Sequence, residues 1–270
     1  MRAMAKDAAT YETIKVQRQG HVVRIVLNRP EVHNAFNGRM IQELAEAVSR
    51  LEGARPARVM ILTGQGKSFC AGADLNWMKE VIRYSYEQNL KESVAIAEFL
   101  YRLYALPIPT VARVNGAAIG GGTGFLSACD IAIASEEAKF GLSEVKIGLV
   151  PAAISPYVLR RIGESRAREY FLTGERFDAR RAQEIGLVNR AVPADELDNA
   201  VEGTVNLLLS SGPEALAKCK ELIQRTPQLS FEEVKDYTAR MIAGLRVSAE
   251  GQEGMASFLE KRKPRWVEEE

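Results

Sequence analysis

The sequence is organised around one glycine-rich stretch, Asn115-Gly116-Ala117-Ala118-Ile119-Gly120-Gly121-Gly122-Thr123-Gly124-Phe125-Leu126-Ser127-Ala128-Cys129-Asp130. An apolar run of β type, 110–114, leads into it, and small residues of helical character follow the three glycines. Because glycine has no Cβ, backbone N–H groups at such a strand-to-helix junction can face a ligand directly. Free amides at a helix start also favour negative charge on the bound group. The stretch therefore indicates a site for an electron-rich group, the alternative being a tight turn or close helix packing.

Two nucleotide-binding loops are excluded by spacing. The dinucleotide fingerprint G-x-G-x-x-G requires a glycine where Phe125 stands, three residues after Gly122. The phosphate loop G-x-x-x-x-G-K-[ST] finds its last three residues in Gly66-Lys67-Ser68, but Ile61 occupies the position of its first glycine. The glycine stretch therefore predicts neither nucleotide site.

Composition sets the class of protein. The chain has 270 residues, 46% hydrophobic and 26% charged, which fits one large globular core with a small appendage. A net charge of +1 gives no basic surface for nucleic acid. Two histidines and three scattered cysteines supply a metal site poorly and indicate reduced thiols, so we expect no metal and a cytoplasmic location. No run approaches the roughly 18 apolar residues of a membrane span, and the first ten residues lack the apolar core of an export signal.

Hydrophobic periodicity predicts alternating strands and helices first, and helices alone later. Tyr11–Arg18 and His21–Leu27 form a predicted hairpin, and 40–51 a helix closed by Gly53. The other predicted elements are strands 59–62 and 131–134, and helices 87–106, 154–162, 197–209, 213–223, 231–245 and 252–261. The order predicts an α/β core over residues 1–195 and a helical region over 196–270.

Two further stretches carry groups suited to chemistry at a carbonyl. Glu144 stands among apolar neighbours, where a carboxylate is either a paired core acid or one whose pKa is raised for proton transfer. The small-residue turn Ala71-Gly72-Ala73 can present a second set of amides. Amide donors with a half-buried carboxylate would stabilise charge that develops on an oxygen while moving a proton nearby.

Taken together and in chain order, a series of segments resembles the enoyl-CoA hydratase/isomerase (crotonase) family over roughly residues 11–265. The matching segments are Asn34–Phe36, Phe69–Asp74, Asn115–Gly122, Cys129–Asp130, Phe140–Gly141, Glu144, Gly148–Pro151, Leu172–Gly174, Ala182, Gly186–Val188, Gly254–Phe258 and Arg262–Lys263. The resemblance implies a core of ββα spiral turns, a C-terminal helical trimerisation region, and a trimer or a hexamer made of two trimers. It also implies an acyl-CoA thioester substrate, with coenzyme A entering as part of that substrate and no separate cofactor.

The resemblance assigns roles residue by residue. The N–H groups of Ala73 and Gly121 would form an oxyanion hole for the thioester oxygen, and Glu144 would be the acid–base group. The remaining assignments are Arg29, Ala71, Asp74 and Leu75 at the coenzyme, Phe258 and Lys261 approaching it from a neighbouring subunit, and Trp77, Met78 and Gly124 along the acyl pocket.

One departure from the family decides which reaction is favoured. Hydratases of the common type carry two glutamates, and the first of these positions is Gly124 here, so only Glu144 remains. One carboxylate suits a Δ3-Δ2-enoyl-CoA isomerase, whereas hydration must also position and deprotonate water. Glu80, Tyr84, Ser143 and Tyr157 are the side chains that could replace the missing glutamate, and the sequence ranks none of them.

A more local resemblance favours hydration. Ser143–Ala152, Ile154–Val158, Tyr170–Asp178 and Ala71–Met78 look like bacterial methylglutaconyl-CoA hydratases of leucine and isoprenoid breakdown. We therefore expect hydration of a branched enoyl-CoA, with Glu144 handling both the water and the α-carbon proton. The isomerase is the alternative, followed by a non-catalytic or RNA-binding relative, which the near-balance of 36 basic and 35 acidic residues disfavours.

Overall fold

The computed structural model describes residues 11–52 and 57–268, which form two compact units. The first contains the described residues up to Leu106 and Thr110–Glu202, and the second contains Pro107–Pro109 and the described residues from Gly203 onward. The boundary expected from sequence lies earlier, between residues 195 and 196. Gly53, the expected end of the first helix, lies outside the described residues.

Ten strands form two sheets within the described residues of the first unit. They are β1 (Ile14–Gln19), β2 (Val22–Leu27), β3 (Val59–Gly64), β4 (Ser68–Cys70), β5 (Thr110–Val114), β6 (Ala117–Ile119), β7 (Ile131–Ser135), β8 (Lys139–Gly141), β9 (Arg176–Asp178) and β10 (Arg190–Val192). The larger sheet has the order β1-β2-β3-β5-β7-β10 and is parallel except for the β1–β2 hairpin. Every residue of β3 is buried, as expected for a parallel strand covered on both faces.

The smaller sheet, β4-β6-β8-β9, positions the loops that carry the candidate site. β4 and β8 both pair with β6 in parallel, and β9 pairs antiparallel with β8. Parallel neighbours end at the same edge of a sheet, so the segments that follow β4, β6 and β8 leave it side by side. These segments carry Ala73, Gly121 and Glu144 in turn.

Eleven α-helices complete the described part of the chain. They are α1 (Gly38–Ser49), α2 (Leu75–Val81), α3 (Tyr86–Ala105), α4 (Gly121–Ala128), α5 (Ser155–Thr173), α6 (Ala179–Glu184), α7 (Leu197–Leu209), α8 (Pro213–Arg225), α9 (Phe231–Val247), α10 (Ala249–Leu259) and α11 (Arg265–Glu268). Two helices of the second unit, α9 and α10, begin at sequence-encoded caps. Ser230 and Glu233 form a capping box at α9, and the Ser248 side chain accepts the Gly251 N–H at α10.

The glycine helix α4 is fixed at its C-terminal end by Arg161 of α5. The largely buried guanidinium donates to the carbonyls of Ser127 (3.2 Å), Cys129 (2.6 Å) and Leu187 (3.1 Å). Burial holds the pKa of Arg161 below its usual range, and the negative charge of nearby Asp130 opposes that effect. A cation against the last carbonyls of a helix satisfies acceptors that have no intrahelical partner.

Candidate active site

The turn that carries Ala73 pairs with Phe36 as in a β-bridge, but the N–H of Ala73 takes no part in this pairing. Phe36 donates its N–H to the carbonyl of Gly72 (2.8 Å) and accepts from the N–H of Asp74 (2.8 Å), so it takes up the groups on either side of Ala73. Among the described residues, neither the N–H of Ala73 nor that of Gly121, the first residue of α4, has an acceptor. Two amide donors are therefore available to a ligand, one from the segment after β4 and one from the segment after β6.

Phe36 also brings the two donor loops together through its ring. A Cβ on Gly121 would overlap with the ring and lie 3.0 Å from Cζ, so the bare backbone of Gly121 packs directly on it. A Cβ on Gly72 would lie 3.2 Å from the carbonyl oxygen of Ile119, so the first loop also passes close to the end of β6. The sequence pattern Asn34–Phe36 was part of the family resemblance, but this bridging role of Phe36 was not predicted.

Gly120 links the donor loop to the carboxylate of Glu144. Its N–H donates to the carbonyl of Gly141 (2.8 Å), and its φ of 53° with ψ of −120° is a conformation that favours glycine. A Cβ on Gly120 would lie 3.0 Å from Oε1 of Glu144. The carboxylate therefore rests against the residue that immediately precedes the free N–H of Gly121.

Glu144 opens a short 3-10 helix, Glu144–Ile147, that ends at Gly148 in a left-handed conformation. Its Oε2 is buried, and no residue in the described ranges gives it a hydrogen bond. Burial raises the pKa of Glu144 above its ordinary value, and only a backbone hydrogen bond within Glu144 opposes this. A half-buried carboxylate with a raised pKa and an unpartnered oxygen is suited to taking and returning a proton.

Two of the residues expected at the coenzyme bind each other. Arg29 and Asp74 form an ion pair (Nη2–Oδ2 2.6 Å), and Arg29 also donates to the carbonyl of Ala35 (2.7 Å). Burial opposes ionisation of Asp74, but hydrogen bonds from Arg29 and from the N–H groups of Asn76 and Trp77 outweigh it and hold the pKa low. The pair fixes the turn that carries Ala73 and starts α2, and its contact with coenzyme A stays a prediction.

The other residues expected near the first loop lie on or beside α2. The N–H of Ala71 donates to the carbonyl of His33 (3.1 Å), whereas the side chain of Leu75 is 74% exposed. Trp77 is half-buried and its ring packs on Phe36 at 5.6 Å between centroids, while Met78 is half-buried one residue on. Trp77 and Gly121 thus both pack on the ring of Phe36.

Gly124, expected along the acyl pocket, is buried against Ile154. A Cβ on Gly124 would overlap with the Cγ2 methyl of Ile154 and would lie 2.7 Å from its Cβ. From sequence, Ile154 was the start of a predicted helix and part of the local resemblance, with no contact to Gly124 predicted. No local pattern could have identified it, because the contact joins residues that are thirty positions apart.

Comparison with known proteins identifies the family. A model of the enoyl-CoA hydratase/isomerase family matches residues 17–269. This chain belongs to the enoyl-CoA hydratase/isomerase family. The match confirms the resemblance seen in the sequence and, with the solved structures below, the α/β crotonase-type fold with a helical C-terminal region.

Several family members are similar to the chain over nearly its whole length. An enoyl-CoA hydratase structure from Shewanella pealeana has 41% identity and a TM-score of 0.90, covering 94% of this chain and 96% of that one. The structure of Pseudomonas aeruginosa AtuE has 37% identity and a TM-score of 0.92, covering 95% of this chain and 100% of that one. The short-chain-enoyl-CoA hydratase of Clostridium acetobutylicum is 32% identical over 250 residues, 92% of this chain and 95% of its own.

The two family positions expected to approach the coenzyme from a neighbouring subunit, Phe258 and Lys261, lie in the second unit. Phe258 is 82% exposed at the end of α10, and Lys261 is exposed and adopts a left-handed φ of 55°. Their contact with a coenzyme stays a prediction. Within the part of the chain that the structure describes, no helix could span a membrane, and no three His, Cys, Asp or Glu side chains are grouped to hold a metal.

Proposed function

We propose that this member of the enoyl-CoA hydratase/isomerase family is a hydratase that adds water across the 2,3-double bond of an enoyl-CoA, with Glu144 as its single acid–base group. The observation that carries the proposal is the carboxylate of Glu144 against Gly120, next to the free N–H of Gly121. The hydratase names of several relatives support the same reaction class.

Two amides would stabilise the charge that the reaction creates. The thioester oxygen accepts hydrogen bonds from the N–H groups of Ala73 and Gly121, which stand ready without rearrangement. As charge moves onto this oxygen, preorganised donors at the start of α4 stabilise it, and loss of one such donor typically costs about 10²–10³ in kcat.

Glu144 would move both protons of the reaction. As an ionised carboxylate it takes a proton from water while the water oxygen bonds to C3, and the C2–C3 π electrons move onto the thioester oxygen as an enolate. The enolate then collapses, C2 takes the proton from Glu144, and the carboxylate is regenerated. One water is consumed, and no oxidant or metal is required.

The substrate would be a branched, methylglutaconyl-type enoyl-CoA, which places the enzyme in leucine degradation. The local resemblance of residues 143–158 and 170–178 to methylglutaconyl-CoA hydratases supports this choice. The coenzyme would lie along the turn of Ala71, Asp74 and Leu75 with Arg29 at its rim, and the acyl group would lie beside Trp77, Met78 and Gly124.

We also propose that the active form is a trimer or a hexamer. The second unit exposes several large apolar side chains that a partner copy would cover: Leu207, Ile223, Phe231, Val247, Phe258 and Leu259 are each more than 70% exposed. Phe258 and Lys261 of one copy would then reach the coenzyme bound to another.

An isomerase is the second candidate, and Gly124 is the observation that favours it. With one carboxylate, Glu144 could remove a proton from C2 of a 3-enoyl thioester and return it to C4, with no water involved. A non-catalytic, RNA-binding role is disfavoured by the net charge of +1.

Loss of enoyl thioester absorbance on the purified protein tests the proposal. Crotonyl-CoA, 3-methylglutaconyl-CoA and a 3-enoyl-CoA are each supplied to the wild type, to Glu144→Gln and to Glu137→Gln, a matched control at an exposed position. We expect fastest hydration of the branched thioester, a fall of about 10²–10⁴ in kcat for Glu144→Gln, and no change for Glu137→Gln.

Each other outcome decides between the candidates. Double-bond migration in the 3-enoyl substrate without water addition would establish the isomerase. Hydration that is indifferent to Glu144→Gln would disprove the role of Glu144, and inactivity on all three thioesters would disprove the proposed function.

A further inference from the structure

We infer that Ile154 is the specificity-determining residue that keeps this site to a single carboxylate. Its side chain occupies the volume beside Gly124 in which an acidic side chain at that position would have to start. This inference rests on the proposed function, because it concerns how many acidic groups take part in the reaction.

The packing of Ile154 on Gly124 leaves no room for a side chain at 124. The Cβ of any larger residue there would overlap with the Cγ2 methyl and approach the branched Cβ of Ile154 to 2.7 Å, a distance that real Cβ contacts do not show. Neither atom is the far end of a flexible chain. Ile154 is 4% exposed and its carbonyl accepts the N–H groups of Tyr157 and Val158, so the start of α5 holds it in place.

Gly124 lies one turn from the residue that supports Glu144. The N–H of Gly124 donates to the carbonyl of Gly120 (3.1 Å), and Gly120 packs against the carboxylate of Glu144. An acid at 124 would therefore start one helical turn from Gly120, the residue that packs against the carboxylate of Glu144. Instead, an isoleucine reaches this position from the same segment of chain that carries Glu144 itself.

Ile154 thereby occupies the place beside Gly124 in which the missing acid would start. Tyr157, one of the candidates, packs its ring on Tyr104 (5.4 Å between centroids), and Glu80 is exposed on α2. The position beside Gly124 is filled by aliphatic carbon, so Glu144 works without a second carboxylate on that flank. Hydration then depends on the ionised form of one group, and kcat/KM falls on the acid side through one titration only.

The packing itself is tested by thermal unfolding of a double-mutant cycle. Gly124→Ala, Ile154→Ala and the double variant are compared with Gly203→Ala, whose added Cβ in α7 would meet nothing within 4 Å. We expect Gly124→Ala to lower Tm, Gly203→Ala to leave it unchanged or higher, and the cost of Gly124→Ala to shrink when Ile154 is already alanine. Additive effects, or a Gly124→Ala variant as stable as the Gly203→Ala control, would overturn the inference.

The role in specificity is tested by the pH profile of hydration. Gly124→Glu alone should lower kcat/KM at least tenfold, and adding Ile154→Ala should recover at least tenfold of that loss. The recovered variant should show a second titration in its kcat/KM profile, because two carboxylates then share the protons. If Ile154 had only a structural role, the double variant would regain its fold but its kcat/KM profile would show no second titration.

Failure of this inference and failure of the proposed function are distinguishable. A recovered double variant that keeps the wild-type profile, or a Gly124→Glu variant as active as wild type, would overturn the role of Ile154. A wild type that hydrates none of the thioesters contradicts the proposed function, whereas the unfolding cycle needs no substrate and decides separately whether Ile154 excludes a side chain at 124.

Discussion

At the scale of single residues, the environment that suits Glu144 to its proposed role in proton transfer also carries a cost to stability. Its Oε2 is buried without a hydrogen-bond partner in the described part of the chain, and burial raises its pKa. A raised pKa means that the folded protein favours the protonated form more than the unfolded chain does. The carboxylate that the proposed reaction requires is therefore the less favourable form for folding.

The first prediction concerns the pH dependence of Glu144→Gln. Because the folded pKa lies above the ordinary 4.5, the contribution of Glu144 to stability is complete below 4.5 and is lost as pH rises through the folded value. Glutamine stays neutral, so the variant should have a higher Tm than wild type at pH 8, with the difference shrinking towards pH 4. Calorimetry across this range measures it.

The activity of the wild type should depend on pH in the opposite direction to the contribution of Glu144 to stability. Wild-type kcat/KM for hydration should fall as pH falls, with a midpoint above 4.5, since the base must be ionised. A midpoint at or below 4.5, or a Tm difference that grows on acidification, would contradict the environment described for Glu144.

At the scale of elements, the second sheet positions the candidate site although its strands are very short. β4, β6 and β8 have three residues each, and the loops that follow them carry Ala73, Gly121 and Glu144. Helix α4 continues from the middle strand and is held at its far end by Arg161. The position of the Gly121 N–H thus depends on contacts at both ends of one eight-residue helix.

The second prediction is that Arg161→Met destabilises the protein strongly. The change leaves the carbonyls of Ser127, Cys129 and Leu187 without their charged donor, and each buried acceptor that loses its partner costs about 1–3 kcal/mol. We expect a loss of roughly 3 kcal/mol or more in the free energy of unfolding, measured by urea denaturation, together with reduced kcat.

A matched control lies in α5 beyond the kink at Gly163, whose φ of 71° and ψ of 167° are not helical. Arg168 is exposed and, among the described residues, pairs only with Glu164, so Arg168→Met should change the free energy of unfolding by less than about 1 kcal/mol. Similar losses in the two variants would mean that Arg161 does not anchor α4.

The sequence predicted the long elements and not the short ones. The expected helix 197–209 has the bounds of α7, and the expected strand 131–134 is one residue short of β7, because their periodic patterns extend over several turns or a full buried strand. The strands β4, β6 and β8 were missed because a strand of three residues is too short to show an alternating pattern. These strands are stabilised by pairing with strands that are distant in sequence. Helix α2 was also missed, since it buries no residue and begins at the Asp74 cap.

For the site, the sequence supplied the parts and the structure supplied their arrangement. The glycine triplet, the Ala71–Ala73 turn and Glu144 were each recognisable from residue type. That Phe36 joins the two donor loops, and that Ile154 covers Gly124, are contacts between distant residues, which no local pattern encodes. The ion pair between Arg29 and Asp74 is of the same kind.

At the scale of the whole molecule, the second unit exposes large aromatic side chains. Its helices α9 and α10 begin at side-chain caps, yet Phe231 and Phe258 are 91% and 82% exposed. These side chains are among those that the proposed partner copy would cover. The proposed trimer or hexamer would bury them and place Phe258 and Lys261 near a neighbouring copy's coenzyme.

The third prediction separates coenzyme binding from folding. Phe258→Ser should leave the secondary structure of the chain, measured by circular dichroism, unchanged, because the side chain is exposed on the single chain. It should raise KM for an enoyl-CoA. The KM for the matching enoyl-pantetheine thioester, which lacks the nucleotide, should change much less. Steady-state kinetics with both thioesters, alongside light scattering to confirm the assembly, tests this, and equal effects on the two substrates would contradict it.

The contact between Gly124 and Ile154 has a consequence for how such a site can evolve. A chain that acquires glutamate at 124 first passes through an overpacked intermediate, and one that trims Ile154 first passes through a cavity that typically costs about 2–5 kcal/mol. We therefore expect either order of substitution to lower stability before a second acid can contribute, so that the two positions are epistatic. Such coupling would keep a one-acid site of this kind in place through mutational accessibility.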